Sequence, residues 1–411
     1  MGELQPDVDP AAVGLDPERL QRLDRHFERY VEDERLPGWL LVVAREGRVA
    51  HVAKHGWRDR QRGLPVEGDT VWRLASMTKP VTSVAAMMLY EEGRFELKDP
   101  ISRWIPAFEQ MRVYRSGSAL KPDTRPATEP VRVWHLLTHT AGLTYGFHHT
   151  HPVDAMYRSA GFEWGNPPGV DLAACCELWA SMPLLFEPGS EFNYSVATDV
   201  LGRLVEVISG QTLDTFFRTR IFEPLGMTDT GFWAGGDLAD RLAAAYMANP
   251  SGPSEPAVPM DGSAALRPPA ALSGGGGLLG TAGDYLRFAE MLRRGGELDG
   301  NRLLSPRTVA YMTRNQLPGG ADLERFGRPL FAETTFDGVG FGLGFSVVID
   351  PAAGKVLTSL GEFGWGGAFS TAFWVAPQEQ LTVMFFTQLL PSSTHPIRSQ
   401  LKQLVYQAIV D

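Results

Sequence analysis

Ser76-Met77-Thr78-Lys79 stands between the apolar segment Thr70-Val71-Trp72-Arg73-Leu74 and the helical run Val81 to Glu92. Residues three apart share a helix face, so the Ser76 hydroxyl and the Lys79 amine can lie side by side where a helix begins. Serine is a weak nucleophile until a neighbour takes its proton, and a lysine does so when burial or nearby positive charge depresses its pKa. A helix N-terminus adds N–H donors and a positive dipole end, both favourable to the oxyanion of acyl transfer. Pro80 fits only the first helical turn, which sets the start close to Ser76. The apolar positions Val81, Val84, Ala85, Met88 and Leu89 then bury one face before Gly93 stops the helix.

S-x-x-K by itself selects little, since it also occurs at Ser118/Lys121 and Ser399/Lys402. Ser118 falls in a Gly/Pro/Thr-rich loop from Arg115 to Pro130, and Ser399 in a short C-terminal helix spanning about Pro396 to Val410. Only Ser76 combines a preceding strand, a tight turn and an apolar helix.

Outward from that stretch, Asp16-Pro17 reads as an N-cap with proline in the first helical position. Leu20, Leu23, Phe27 and Tyr30 follow at helical spacing. Trp39 to Ala44 and Val49 to Ala53, joined by a turn at Glu46-Gly47, form an expected hairpin. From Asp99 to about Gly235 helices alternate with Pro/Gly-rich loops, including helices expected over Trp134 to Leu143 and Val196 to Ser209. Ser195 is the expected cap of the second. Asn249 to Pro269 reads as a linker or surface loop. Thr281 with Asp284 matches a capping box for a helix from Tyr285 to Arg294. The last part is strand-rich: Phe341 to Asp350, Lys355 to Leu360, Ala368 to Ala376 and Leu381 to Gln388 are joined by short turns and should pair antiparallel. Phe373-Trp374-Val375 has the continuous apolar character of a strand covered on both faces.

The expected fold is α+β: an antiparallel sheet flanked by helices, from residues 1–95 and 275–411, with a mainly helical second lobe inserted over 96–274. Ser76 would lie where the lobes meet.

Composition excludes several classes. A formal net charge of −10 and a pI near 5.5 leave no basic face for nucleic acid or an anionic membrane. No apolar run reaches bilayer-spanning length. The two cysteines, Cys175 and Cys176, are adjacent and staple no distant segments together. With no basic, then apolar leader at the N-terminus, cytoplasm is the expected location. Oligomeric state is not legible. Five of the nine histidines lie between His135 and His151. His148-His149-Thr150-His151 has no H-E-x-x-H pattern, so neither metal nor cofactor is expected. Ser273-Gly274-Gly275-Gly276-Gly277 lacks the Gly-Lys-Ser/Thr of a phosphate loop and reads as a close backbone approach beside a cleft. No G-x-S-x-G elbow occurs.

Three stretches in order, Ser76-Met77-Thr78-Lys79, then Tyr194-Ser195-Val196 preceded by Glu187-Pro188-Gly189, then Trp365-Gly366-Gly367, resemble the serine β-lactamase and penicillin-binding-protein superfamily. Within it, the chain is most similar to the class C-like carboxylesterases (family VIII esterases). The resemblance runs from about Leu15 to the C-terminus, and His135 to Leu143 and Gly276 to Asp284 add to it. It implies Ser76 as nucleophile and Lys79 and Tyr194 as the proton-handling groups, either being the formal base. The backbone N–H groups of Ser76 and Ala368 would form an oxyanion hole, with Trp365, Gly366, Gly367, Val196 and Tyr145 against the substrate.

Two departures bear on the substrate. True β-lactamases of this kind have Lys-Thr-Gly where this chain has Trp365-Gly366-Gly367, and Tyr-x-Asn where it has Tyr194-Ser195-Val196. The cation and hydroxyl for a lactam carboxylate, and the amide for its side chain, are thus replaced by apolar groups. The expected substrate is a neutral carboxylic ester with a short or medium acyl group. Acyl transfer, weak β-lactamase activity and a non-catalytic binding role are the alternatives. Retention of Ser76, Lys79 and Tyr194 together argues against the last.

Overall fold

A computed structural model describes residues 4–328 and 335–411. Asp16 accepts from the backbone N–H groups of Glu18 and Arg19 and so caps α1 (Pro17–Glu32), with Pro17 at the first helical position. The hairpin follows as β1 (Gly38–Arg45) and β2 (Arg48–Asp59), continued by β3 (Leu64–Pro65). These strands complete an eight-stranded antiparallel sheet. From the far edge its order is Val339–Phe341, Ser346–Val348, Phe363–Gly366, Ala372–Ala376, Leu381–Phe386, β1, β2, β3.

Side chains alternate across a strand, and the central strands use both faces. Leu41, Val43, Trp374, Val383 and Phe385 join Leu20, Leu23 and Phe27 of α1 and Leu401 and Val405 of the last helix in one cluster. Leu40, Val42, Phe373, Val375, Met384 and Phe386 join a second cluster that contains α2 (Thr78–Glu91) and runs on into the helical segments. Every residue of α2 from Thr78 to Leu89 is buried, so the helix is a strut through the interior rather than an amphipathic cover.

Several local expectations are corrected. The Phe341 to Asp350 strand is a hairpin, Val339–Phe341 with Ser346–Val348, because Gly344 turns the chain with φ +95°. A Cβ on Gly344 would stand 2.1 Å from Ser83 Oγ, so only glycine fits this turn. Lys355 to Leu360 is no strand: Leu357 and Leu360 are exposed, and the strand that pairs is Phe363–Gly366. Trp365-Gly366 therefore ends the strand Phe363–Gly366, and the strand expected from Ala368 begins only at Ala372. The helix expected over Trp134 to Leu143 covers only Val133–Leu137. Thr138 Oγ1 donates back to Trp134 O at 2.8 Å, and His139 takes φ +55°, which ends the helix. Ser118 lies in a β-hairpin, Arg112–Ser118 with Lys121–Pro126, not in a loop. Thr281 caps its helix by accepting from Asp284 N, but the Asp284 carboxylate accepts from Asp229 N and Thr230 Oγ1 instead of closing a capping box. Within Asn249 to Pro269, Val258–Pro259 pairs with Tyr246–Met247, which in turn pairs with Leu389–Leu390.

Candidate active site

Ser76 lies in a short 3-10 turn, Ala75–Met77, that feeds directly into α2. Three contacts pin the turn to the segment that follows the glycine run. Leu74 N donates to Leu278 O at 3.0 Å, Leu278 N donates to Thr78 Oγ1 at 3.0 Å, and Tyr285 donates its hydroxyl to Met77 O at 2.9 Å. Ala75, just before the serine, holds φ +46°, a left-handed conformation that a non-glycine residue adopts only when its surroundings fix it.

Lys79 is 2% exposed, and its Nζ donates to Ser76 Oγ at 3.2 Å and to Gly275 O at 2.7 Å. The same amine lies 4.5 Å from the centre of the Tyr194 ring and 5.4 Å from that of Tyr145. The aromatic faces satisfy charge on the sides its two hydrogen bonds leave open. The glycine run makes the close approach expected of it. Gly274 O accepts from Thr82 Oγ1 at 2.7 Å, and a Cβ on Gly275 would stand 2.3 Å from Asp199 Oδ2.

Tyr194 is held from three sides. The Trp365 indole N–H donates to its hydroxyl at 3.2 Å, His148 Nε2 donates to its carbonyl at 2.7 Å, and the His139 ring packs 4.9 Å away. Burial pushes the His139 pKa well below the usual imidazole range, with the Lys79 and His148 charges adding to the effect. His148 is also pulled down by burial, although the Tyr194 carbonyl and Asp154 oppose that. Both rings are neutral at neutral pH. Ser195 accepts from Ala197 N at 3.3 Å at the start of the helix Ala197–Ser209, which turns Val196 inward.

Apart from Lys79, which is buried against Ser76, the sequence-selected residues line one cavity of about 690 Å³, among them Ser76, Tyr145, Tyr194, Val196, Trp365 and Ala368. Gly366 and Gly367 line it as well, and both have crowded surroundings. A Cβ on Gly366 would meet the Arg398 guanidinium at 2.5 Å, and one on Gly367 would meet Leu74 O at 2.6 Å. Ser399 and Lys402 border the same cavity, yet Ser399 donates to Pro396 O and Lys402 is paired at 2.5 Å with the buried Glu362. That pair has no base to offer its serine. Among the described residues no His/Cys/Asp/Glu cluster is arranged to hold a metal ion, and no helix is long and apolar enough to cross a membrane.

Sequence reasoning missed Asp199, Ser273, His139 and Arg398. For Asp199 a signal existed: it lies three residues after Val196 in a helix whose apolar positions mark that side as buried. Arg398 gives no such signal, because only the tertiary fold brings the last helix against Gly366.

His135 shows how the start of the helix Val133–Leu137 is fixed. Its Nδ1 accepts from Arg132 N at 3.0 Å, and burial, aided by the Arg132 charge, lowers its pKa to about 3. Below pH 6.5 the unfolded chain takes up a proton that the folded chain refuses until about pH 3, so this group's contribution is complete above 6.5 and lost as pH falls through that window. Urea midpoints at pH 7, 5.5 and 4.5 should fall more steeply in wild type than in His135→Asn, whose amide oxygen can still accept from Arg132 N. Equal slopes would show that His135 is not the group responsible.

A cavity-facing serine in hydrogen-bond contact with a buried lysine, a phenol beside them and an apolar cavity above define a serine hydrolase. The chain belongs to the Beta-lactamase family, whose model matches residues 23–407. It is 33% identical over 420 residues to esterase EstB of Burkholderia gladioli, covering 97% of this chain and 98% of the relative. It is 38% identical over 360 residues to protein Rv1367c of Mycobacterium tuberculosis (strain ATCC 25618 / H37Rv), covering 87% and 86%. Among solved structures, EstCE1, described as a hydrolase with promiscuous acyltransferase activity, matches with a TM-score of 0.79 at 29% identity. That match covers 97% of this chain and 99% of the other. The expected β-lactamase-like α+β fold is borne out.

Proposed function

We propose that the protein is a class C-like (family VIII) carboxylesterase that hydrolyses short- to medium-chain esters through an acyl-Ser76 intermediate. The contact of Lys79 Nζ with Ser76 Oγ at 3.2 Å carries the reading. Ser76 Oγ attacks the ester carbonyl carbon as its proton passes to the Lys79/Tyr194 pair, and the oxyanion rests on the N–H groups of Ser76 and Ala368. Collapse breaks the bond to the alcohol, which leaves with that proton. Water, deprotonated by the same pair, then attacks the acyl carbonyl and releases the acid and free Ser76. Trp365 donates to the Tyr194 hydroxyl from the position where a lactamase would hold a carboxylate, which favours neutral esters.

Similarity to esterase EstB supports ester hydrolysis. Similarity to EstCE1 supports a second use of the same intermediate, transfer of the acyl group to an alcohol. The division into a sheet body (1–95 and 275–411) and a helical insert (96–274) belongs to the same proposal. So does a cytoplasmic location, supported by two buried free thiols at Cys175 and Cys176.

p-Nitrophenyl acetate, butyrate and octanoate, assayed beside a chromogenic cephalosporin, test the substrate class. Esters should turn over faster by about tenfold or more. A cephalosporin rate above that of every ester would defeat the reading, and a product ester formed on adding an alcohol would establish transfer.

A further inference from the structure

We propose that Asp199 is a positioning residue for Lys79, acting through the Gly275 peptide as the buried counter-anion of the nucleophile's partner. The inference rests on the acyl-Ser76 reading above. Among the described residues, the hydrogen-bond partners of Lys79 Nζ are Ser76 Oγ and Gly275 O, both neutral. A buried ammonium without a nearby anion is costly, and such charges are ordinarily paired. Asp199 is the acid in place to do this. Its side chain is buried, and its Oδ1 accepts from Ser273 Oγ at 2.5 Å and from Gly275 N at 3.1 Å. The Gly275 residue that donates its N–H to Asp199 presents its C=O to Lys79, so one residue's main chain connects anion to cation. The missing Cβ at Gly275 lets the carboxylate sit against it, since a side-chain carbon there would lie 2.3 Å from Oδ2.

Electrostatics agree with this geometry. Burial pushes the Asp199 pKa up, while the Lys79 charge, the Ser273 hydroxyl and the Gly275 N–H pull it back. The other groups facing the pair are Tyr145, Tyr194, His139, His148, Cys175 and Cys176. Burial keeps the tyrosine at 145 and both cysteines protonated and both histidines neutral, so none of these five groups is an anion that stands in for Asp199.

A carboxylate here performs two tasks. It orients the Gly275 carbonyl that aims the amine at Ser76, and it offsets the positive charge that amine carries when the serine's proton is passed to it. An anion near a cation typically shifts its titration by about one unit or more. Taking the charge away removes its upward pull on the Tyr145 phenol, and an activity limb governed by that phenol moves to lower pH.

The test uses Asp199→Asn, which keeps the shape and one acceptor oxygen, and Asp199→Ala, which opens a space on the cavity that Asp199 lines. The readouts are p-nitrophenyl butyrate kinetics across pH and the rate of Ser76 modification by a p-nitrophenyl phosphonate, followed by intact mass and peptide mapping. Wild type should be modified once, at Ser76; modification elsewhere would sink the acyl-serine reading and not this one. Asp199→Asn should lose about tenfold in kcat and in modification rate, with KM within about twofold. Its pH limb should move about one unit lower. Asp199→Ala should be restored by formate and not by formamide. Wild-type rates and limb in Asp199→Asn, or equal rescue by formamide, would overturn the assignment, because a merely space-filling or hydrogen-bonding residue does not distinguish charge.

Discussion

Ser76→Ala is expected to lower p-nitrophenyl butyrate turnover by about 10⁴-fold or more and to abolish phosphonate incorporation while the protein stays folded. Ser76 Oγ faces the cavity, and alanine leaves the turn intact, since the contacts that pin it come from Leu74, Met77 and Thr78. Lys79→Ala should fall to a similar level, because the nucleophile and its hydrogen-bonded amine act as one unit, and the double variant should be hardly worse than either alone. Losses that multiplied would instead show two independent contributions. Ester turnover within about tenfold of wild type in Ser76→Ala would remove Ser76 from the chemistry altogether.

Gly367→Ala is the second large effect. The new Cβ would stand 2.2 Å from Thr371 Oγ1, 2.6 Å from Leu74 O and 3.3 Å from the Ala75 Cβ. Thr371 can rotate away, but Leu74 O belongs to the main chain that delivers Ser76, so the Gly367-Ala368 segment must move. A displaced donor in an oxyanion hole costs about 10²–10³ in kcat, with KM changed far less. Gly361→Ala is the control for backbone strain alone: its φ of +77° is left-handed, as that of Gly367 is not, and nothing lies within 4 Å of the new methyl. If Gly367→Ala keeps wild-type kcat, Ala368 N–H is not part of the oxyanion hole. If both variants lose kcat equally, a general disturbance of the fold rather than crowding beside Leu74 O is responsible.

How much of this was legible in the sequence depended on the range of the interaction. Ser76 with Lys79 is a contact within one helical turn, and spacing sufficed to read it. α1, with its Asp16-Pro17 start, was equally local. Phe373-Trp374-Val375 gave away a doubly covered strand because three adjacent apolar residues cannot all face one side of a sheet. The Lys355 to Leu360 stretch failed for the opposite reason. Its Val356, Leu357 and Leu360 have strand composition, yet among the described residues they pair with no strand and two of them are exposed. Gly344 looks like any glycine until Ser83, from α2, is seen lying against it. Asp199 likewise needs Gly275, 76 residues away, to make sense of a buried acid.

The turn carrying Ser76 is supported mostly by main-chain atoms: Gly275 O holds Lys79, Leu278 N and O hold Thr78 and Leu74, and Met77 O takes the Tyr285 hydroxyl. Substitution elsewhere on the cavity wall leaves those atoms where they are. A lineage carrying this scaffold can therefore exchange the residues that choose an acyl group or an alcohol without rebuilding the nucleophile. Divergence in substrate is thereby uncoupled from divergence in chemistry, except at the glycines, where adding a single methyl disturbs both.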